Sequence, residues 1–157
     1  MCALKLLPFT STSSPRIKLV TVEQCWTVCE GSRIPGPYEA RDWFVPYFQG
    51  KDREHLVVMH LDASHQVVSV EVVSVGTLNH TVVHPREVFK AAILANAKGI
   101  IVAHNHPSGD PKPSEEDRNV FAKLTLAGDV LGIKLLDFLV VSGTQFRSLV
   151  DPHIGGE

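Results

Sequence analysis

The stretch Gly99-Ile100-Ile101-Val102-Ala103-His104-Asn105-His106-Pro107-Ser108-Gly109-Asp110-Pro111-Lys112-Pro113-Ser114-Glu115-Glu116-Asp117 decides how the chain is read. Its opening residues are a short apolar run, rich in β-branched side chains and bounded by glycine, which predicts a buried strand. His104 and His106 follow at a spacing of two. On an extended backbone such side chains point to one face, so both imidazoles can reach a single ion at the strand's end. Pro107, Pro111 and Pro113 then remove amide donors, and Ser108-Gly109-Asp110 is turn chemistry, so a stiff loop follows. Ser114 opens a helical pattern with Val120, Phe121, Leu124 and Ala127 on one face and Asp117 in the first turn.

A strand end and a helix start are thereby folded together, and two neutral nitrogens and one carboxylate can meet. Such a set leaves a fourth position open, which distinguishes catalytic zinc sites from closed structural ones. Zinc lowers the pKa of a water in that position to about 7, so only a general base is then missing. Ser114-Glu115-Glu116-Asp117 has a second reading as a capping box, the serine accepting from the third amide and the acid answering it. The residues leave both readings open. A binuclear hydrolase of the His-x-His-x-Asp-His type is excluded, because Ser108 and Gly109 stand where its Asp and His belong. The contiguous His-Asn-His likewise differs from the nuclease motif of those letters, whose residues are dispersed along a hairpin-helix unit.

The spacing His-x-His, seven residues, Ser, two residues, Asp resembles the signature of the JAB/MPN (JAMM) metalloprotease fold. The surrounding residues resemble its bacterial RadC-like branch. That resemblance runs from about Arg53 to Leu149 and includes Gly76-Thr77-Leu78-Asn79, Val83-His84-Pro85-Arg86-Glu87-Val88, Ala103 through Gly109, and Leu136-Asp137-Phe138. It implies a single α/β domain with a mixed central β-sheet flanked by helices, layered like the cytidine deaminases. It further implies a zinc-dependent hydrolase that cleaves a peptide or isopeptide bond in a protein or peptide substrate. Position by position, His104, His106 and Asp117 match the zinc ligands, and Ser114 matches the serine that steadies the oxyanion. Glu54 matches the catalytic general base, with Glu71 as the fallback. RadC-like proteins also carry an association with DNA repair, and the fold serves in non-catalytic scaffold subunits. An interaction module of that kind is the alternative reading, against which stands the retention of every motif position. Phe138 departs from the pattern, standing where relatives often have His.

A length of 157 residues, 44% apolar and 20% charged, argues one soluble globular domain. The 15 basic and 17 acidic residues give a net charge of −2 without a basic cluster, so tight nucleic-acid binding is not expected. No apolar run reaches a membrane span and the first residues lack a signal-peptide pattern, so a cytoplasmic location is expected. Oligomeric state is not readable from the chain. Cys2, Cys25 and Cys29 imply no disulfide framework, and Cys25 and Cys29, with no second pair nearby, read as buried thiols.

The expected organisation is a tail at 1–16, a helical segment at 17–50, the metallohydrolase domain at 51–151 and a tail at 152–157. Within the helical segment, one helix is expected from near Thr21 and another over 38–48, where Trp43, Phe44, Tyr47 and Phe48 pack into a core and Pro46 bends or shortens the helix. Residues 54–61 and 66–75 read as a hairpin. Valines on both faces of the second run predict an interior strand. Residues 76–83 read as irregular or a short edge strand. A helix is expected from Pro85 to about Lys98, ended by Gly99, and another from Ser114 to about Gly128. Runs at 133–136, 138–142 and 145–150 complete the chain. The histidines other than His104 and His106 lack paired spacing and read as solvated or structural.

Overall fold

The structure, a computed structural model, describes residues 32–76 and 83–155. The three cysteines, the helix expected near Thr21, the tail at 1–16 and most of the 76–83 stretch lie outside the described residues. The described elements are α1 (Pro37–Phe48), β1 (His55–Leu61), β2 (Val67–Val75), α2 (Pro85–Leu94), β3 (Gly99–Asn105), α3 (Glu115–Leu131), β4 (Lys134–Ser142) and β5 (Gln145–Ser148).

The five strands form one mixed sheet in the order β2-β1-β3-β4-β5. Only β3 and β4 run parallel, joined by the crossover through α3, and the other pairs are antiparallel. The central strands bury both faces because their apolar side chains alternate. Leu56, Val58, Ile100, Val102 and Val140 pack with Val88, Phe89 and Ala92 of α2 and Leu124 of α3. Val57, Met59, Ile101, Ala103, Leu139 and Val141 pack with Ala40, Phe44 and Phe48 of α1. The result is a three-layer α/β domain, as the resemblance implies. Trp43 and Tyr47 lie half-buried against the same α1 core, as expected for that aromatic cluster. Pro46 sits in the last turn of α1, and the helix ends two residues later.

Several sequence expectations are corrected. Among the described residues β2 is an edge strand: Val68, Val72 and Val75 are exposed there, and the start of its outer edge is covered by the pairing of Arg33 with Gln66. Valine there reflects the preference of β-branched side chains for extended backbone, which does not require burial. Helix α2 stops at Leu94, and Asn96 turns the chain with φ 52°. Gly99 therefore opens β3, where an added Cβ would stand 2.8 Å from Leu136 Cδ1. Helix α3 runs past Gly128 to Leu131 and is closed by Gly132 in the left-handed region, φ 69°. The runs expected at 133–136 and 138–142 are one strand, with a bulge at Leu136 that absorbs an extra residue between the Ile100 and Ile101 pairings. Asp137 is tolerated inside it because its carboxylate accepts from Ser148 Oγ and from the Phe138 amide, both at 2.7 Å. Further along, Ile154 packs half-buried against the α1 core and its carbonyl accepts from the Ser148 amide.

Candidate metal centre

The site lies where β3 ends and α3 begins. His104 is the second-last residue of β3 and is completely buried, its ring edge-on to that of Phe138 at 5.7 Å between centroids. His106 follows immediately beyond the strand, its backbone fixed by donation from its amide to the Val141 carbonyl and by acceptance at its carbonyl from Ser142 Oγ. Asp117 arrives from the first turn of α3 and is 1% exposed. One ligand atom from each of the three residues lies within 4.8 Å of the others.

The individual atoms are arranged for coordination. His104 Nε2 is 3.1 Å from Asp117 Oδ1, and His106 Nε2 is 3.5 Å from Asp117 Oδ2. Nδ1 of His106 is 2.8 Å from the Asp110 carbonyl, a contact in which only a protonated Nδ1 can donate. That fixes the tautomer with the lone pair on Nε2, as metal-bound imidazoles require. Among the described residues, neither ring nitrogen of His104 has a hydrogen bond of normal geometry despite complete burial. A buried ring that gives up both of its polar partners is costly unless another partner is meant for it. A divalent cation on His104, His106 and Asp117 fits this donor set.

The electrostatics agree with the geometry. Burial by itself raises the Asp117 carboxyl, but close contact with the His104 and His106 imidazoles and the bond from the Ser114 amide carry it well below the usual carboxylate range. Contact with Asp117 holds His106 above its ordinary value against the opposing effect of burial, with smaller contributions from the Asp110 carbonyl and the charge of Glu54. Asp117 therefore stays ionised and acceptor-only, as a ligand must be.

The capping reading of Ser114-Glu115-Glu116-Asp117 holds, and it leaves room for the ligand reading. Ser114 Oγ accepts from the Asp117 amide at 3.1 Å and Asp117 Oδ2 accepts from the Ser114 amide at 2.6 Å, a complete capping box. The same carboxylate still presents Oδ1 to His104, so the box orients the ligand.

Glu54 stands immediately before β1. The β1–β3 ladder ends with Leu56 opposite His104, and continuing that register places Glu54 opposite His106, on the face that carries both imidazoles. Its charge acts on His106. Glu71 is elsewhere: it pairs with Val58 further along β1, and the charges acting on it are Lys90 and Glu87 of α2. The fallback is thus not brought to the site. Sequence reading missed Asn105, completely enclosed between the two histidines and hydrogen-bonded to the backbone on either side of Glu54. Its position inside His-Asn-His was the available signal.

Two clefts meet at Pro107, beside this end of the sheet. One, of about 470 Å³, is lined by Glu54, Pro107 and Ser108, and another, of about 420 Å³, by Phe48, Lys51, His106 and Pro107. No described helix is long and apolar enough to cross a membrane.

The sequence model for the RadC-like JAB domain matches residues 34–154, a stretch that includes α1. Similar proteins include a "UPF0758 protein" of Methanosarcina mazei, 40% identical over 119 residues that make up 76% of this chain and 52% of that one. One of Clostridium kluyveri is 43% identical over 122 residues, 78% of this chain and 54% of its own. One of Staphylococcus carnosus is 44% identical over 119 residues, 76% and 53% of the two chains. The chain spans about half the length of the curated relatives it matches.

Proposed function

The chain belongs to the family of RadC-like JAB domains, and on that premise we propose that it is a zinc-dependent hydrolase of a peptide or isopeptide bond. The observation that carries the reading is the convergence of His104, His106 and Asp117 at the sheet end, with Glu54 in register across from His106. The metal is zinc: two imidazoles and one carboxylate are a usual ligand set for it, with a position left for water and substrate. When bound, zinc supplies a Lewis acid that makes water a nucleophile at neutral pH.

The chain's own groups do the rest. Glu54 takes the proton of the attacking water and returns it to the leaving amine, a role that requires a carboxylate within hydrogen-bond reach of both. The Ser114 hydroxyl accepts from the Asp117 amide, so its proton is directed elsewhere. It donates to the carbonyl oxygen as negative charge develops there. Asp117 and the Asp110 carbonyl hold the His106 ring in one orientation. The two clefts share Pro107, one carrying Glu54 and the other His106, and together offer room for an extended substrate, which favours a polypeptide over a small molecule.

The test is hydrolysis by the zinc-loaded chain of a mixture of linear peptides and Lys-linked branched peptides, with products read by mass spectrometry. Glu54→Gln should lower turnover by about 10²–10⁴-fold. Undiminished cleavage by that variant would overturn the assignment of the base, and failure of the unaltered chain to cleave either class would overturn the hydrolase reading.

A further inference from the structure

We propose that Asn105 is the positioning residue for the general base: its side-chain amide locks the backbone around Glu54 against the strand that carries the two ligand histidines. The proposal rests on the reading of Glu54 given above.

The backbone ladder between β1 and β3 ends at Leu56 and His104. One residue further on, the side chain of Asn105 takes over. Its Oδ1 accepts from the His55 amide at 2.7 Å, and its Nδ2 donates to the Arg53 carbonyl at 2.9 Å. These two groups flank Glu54 and face the same side of an extended chain, so one planar amide spans them as a neighbouring peptide unit would. From the other side of the strand, the Gly76 amide donates to the Glu54 carbonyl at 2.8 Å. Residues 53–55 are therefore gripped from both edges.

Asn105 is 4% exposed, so its side-chain amide is largely shielded from competing water. It is also covalently placed between His104 and His106. A displacement of the β1 end relative to these histidines would have to break this pair of hydrogen bonds. Catalytic groups misplaced by about 1 Å lose much of their effect, so a device of this kind has a function that a metal ligand set by itself does not supply. Ser offers a single hydroxyl and Ala nothing, so neither spans the two backbone groups.

The experiment uses the full chain loaded with Co²⁺ alone, whose visible spectrum responds to pH according to the charge facing the metal. Glu54→Gln should shift the pH midpoint of that spectrum by about one unit, the scale of a single nearby charge. Asn105→Ala should shift it in the same direction while Co²⁺ affinity stays near that of the unaltered chain. The double variant should match Glu54→Gln, because a residue acting through another is not additive with it. Asn105→Ser should give an intermediate shift, and it decides the question if Asn105→Ala does not fold. A shift with Glu54→Gln but none with either Asn105 variant would overturn the positioning role and leave the base in place. Additive shifts in the double variant would overturn it as well. No shift with Glu54→Gln would overturn the reading of the base, and the proposal with it.

Discussion

One oxygen of Asp117 faces Nε2 of His104 at 3.1 Å while the other accepts the Ser114 amide at 2.6 Å. A single carboxylate thus joins the cap of α3 to the metal centre, and the two tasks can be separated by substitution. Asp117→Asn retains an oxygen for the Ser114 amide but removes the charge. It should fold with the α3 start intact and bind zinc at least about 100-fold more weakly, since even indirect partners of a metal ligand are worth 10–100-fold. Asp117→Ala should lose the same affinity and also about 1 kcal/mol of stability from the broken cap. Zinc titration and urea unfolding of the metal-free variants measure both. Equal zinc affinity in all three chains would leave Asp117 a cap alone.

Protons compete with the metal for His106, whose pKa is held above the ordinary histidine value by Asp117. Zinc affinity should therefore rise with pH through the range just above about 6.5, as the ring loses its proton. Affinity that is flat across neutral pH would contradict the assigned ligand.

His60 is completely buried in β1, its Nδ1 2.8 Å from Ser69 Oγ and its Nε2 without a partner among the described residues. Burial lowers its pKa to about 4, with the Ser69 contact opposing in part. The folded state thus takes up a proton less readily than the unfolded chain. Its contribution to stability is constant above about pH 6.5 and is lost as pH falls from there towards 4, by about 3 kcal/mol in all. His60→Gln should flatten the stability profile over that window, as read by urea unfolding at several pH values. An unchanged slope would place the acid sensitivity in other groups.

The layers and the His104-His106-Asp117 cluster were legible in the sequence because each rests on a short-range rule. The continuous apolar run 99–103 marks a buried strand, and His-x-His before a proline-rich loop marks a shared face at a strand end. What escaped depends on tertiary context. The valines of β2 read as interior, yet strand order is set by crossovers that no local pattern records. Asp137 read as a break between two runs, since its partner Ser148 lies on another strand. Asn105 was passed over because its hydrogen-bond partners are 50 and 52 residues away.

Gly128 packs α3 against the turn into β4. An added Cβ would stand 2.5 Å from the Ile133 carbonyl oxygen and 3.3 Å from the Phe89 ring. Gly128→Ala should destabilise the domain by about 1–3 kcal/mol through overpacking, despite the better helix propensity of alanine. Thermal unfolding would show it, and a gain in stability would contradict the close approach.

Phe138 is 1% exposed and meets the rings of His104 at 5.7 Å and Phe121 at 6.3 Å. Its truncation to alanine should cost about 3–5 kcal/mol and remove the wall that keeps the His104 ring in place. Zinc binding by any folded fraction should weaken as well. A stable variant with unaltered zinc affinity would mean that His104 is held by its other neighbours.

The most direct test of the account is the metal content of the chain purified without chelators, measured by elemental analysis beside a His104→Ala/His106→Ala control. The account predicts about one zinc per chain, absent from the control. No metal in the unaltered chain, and no uptake when zinc is added, would contradict it.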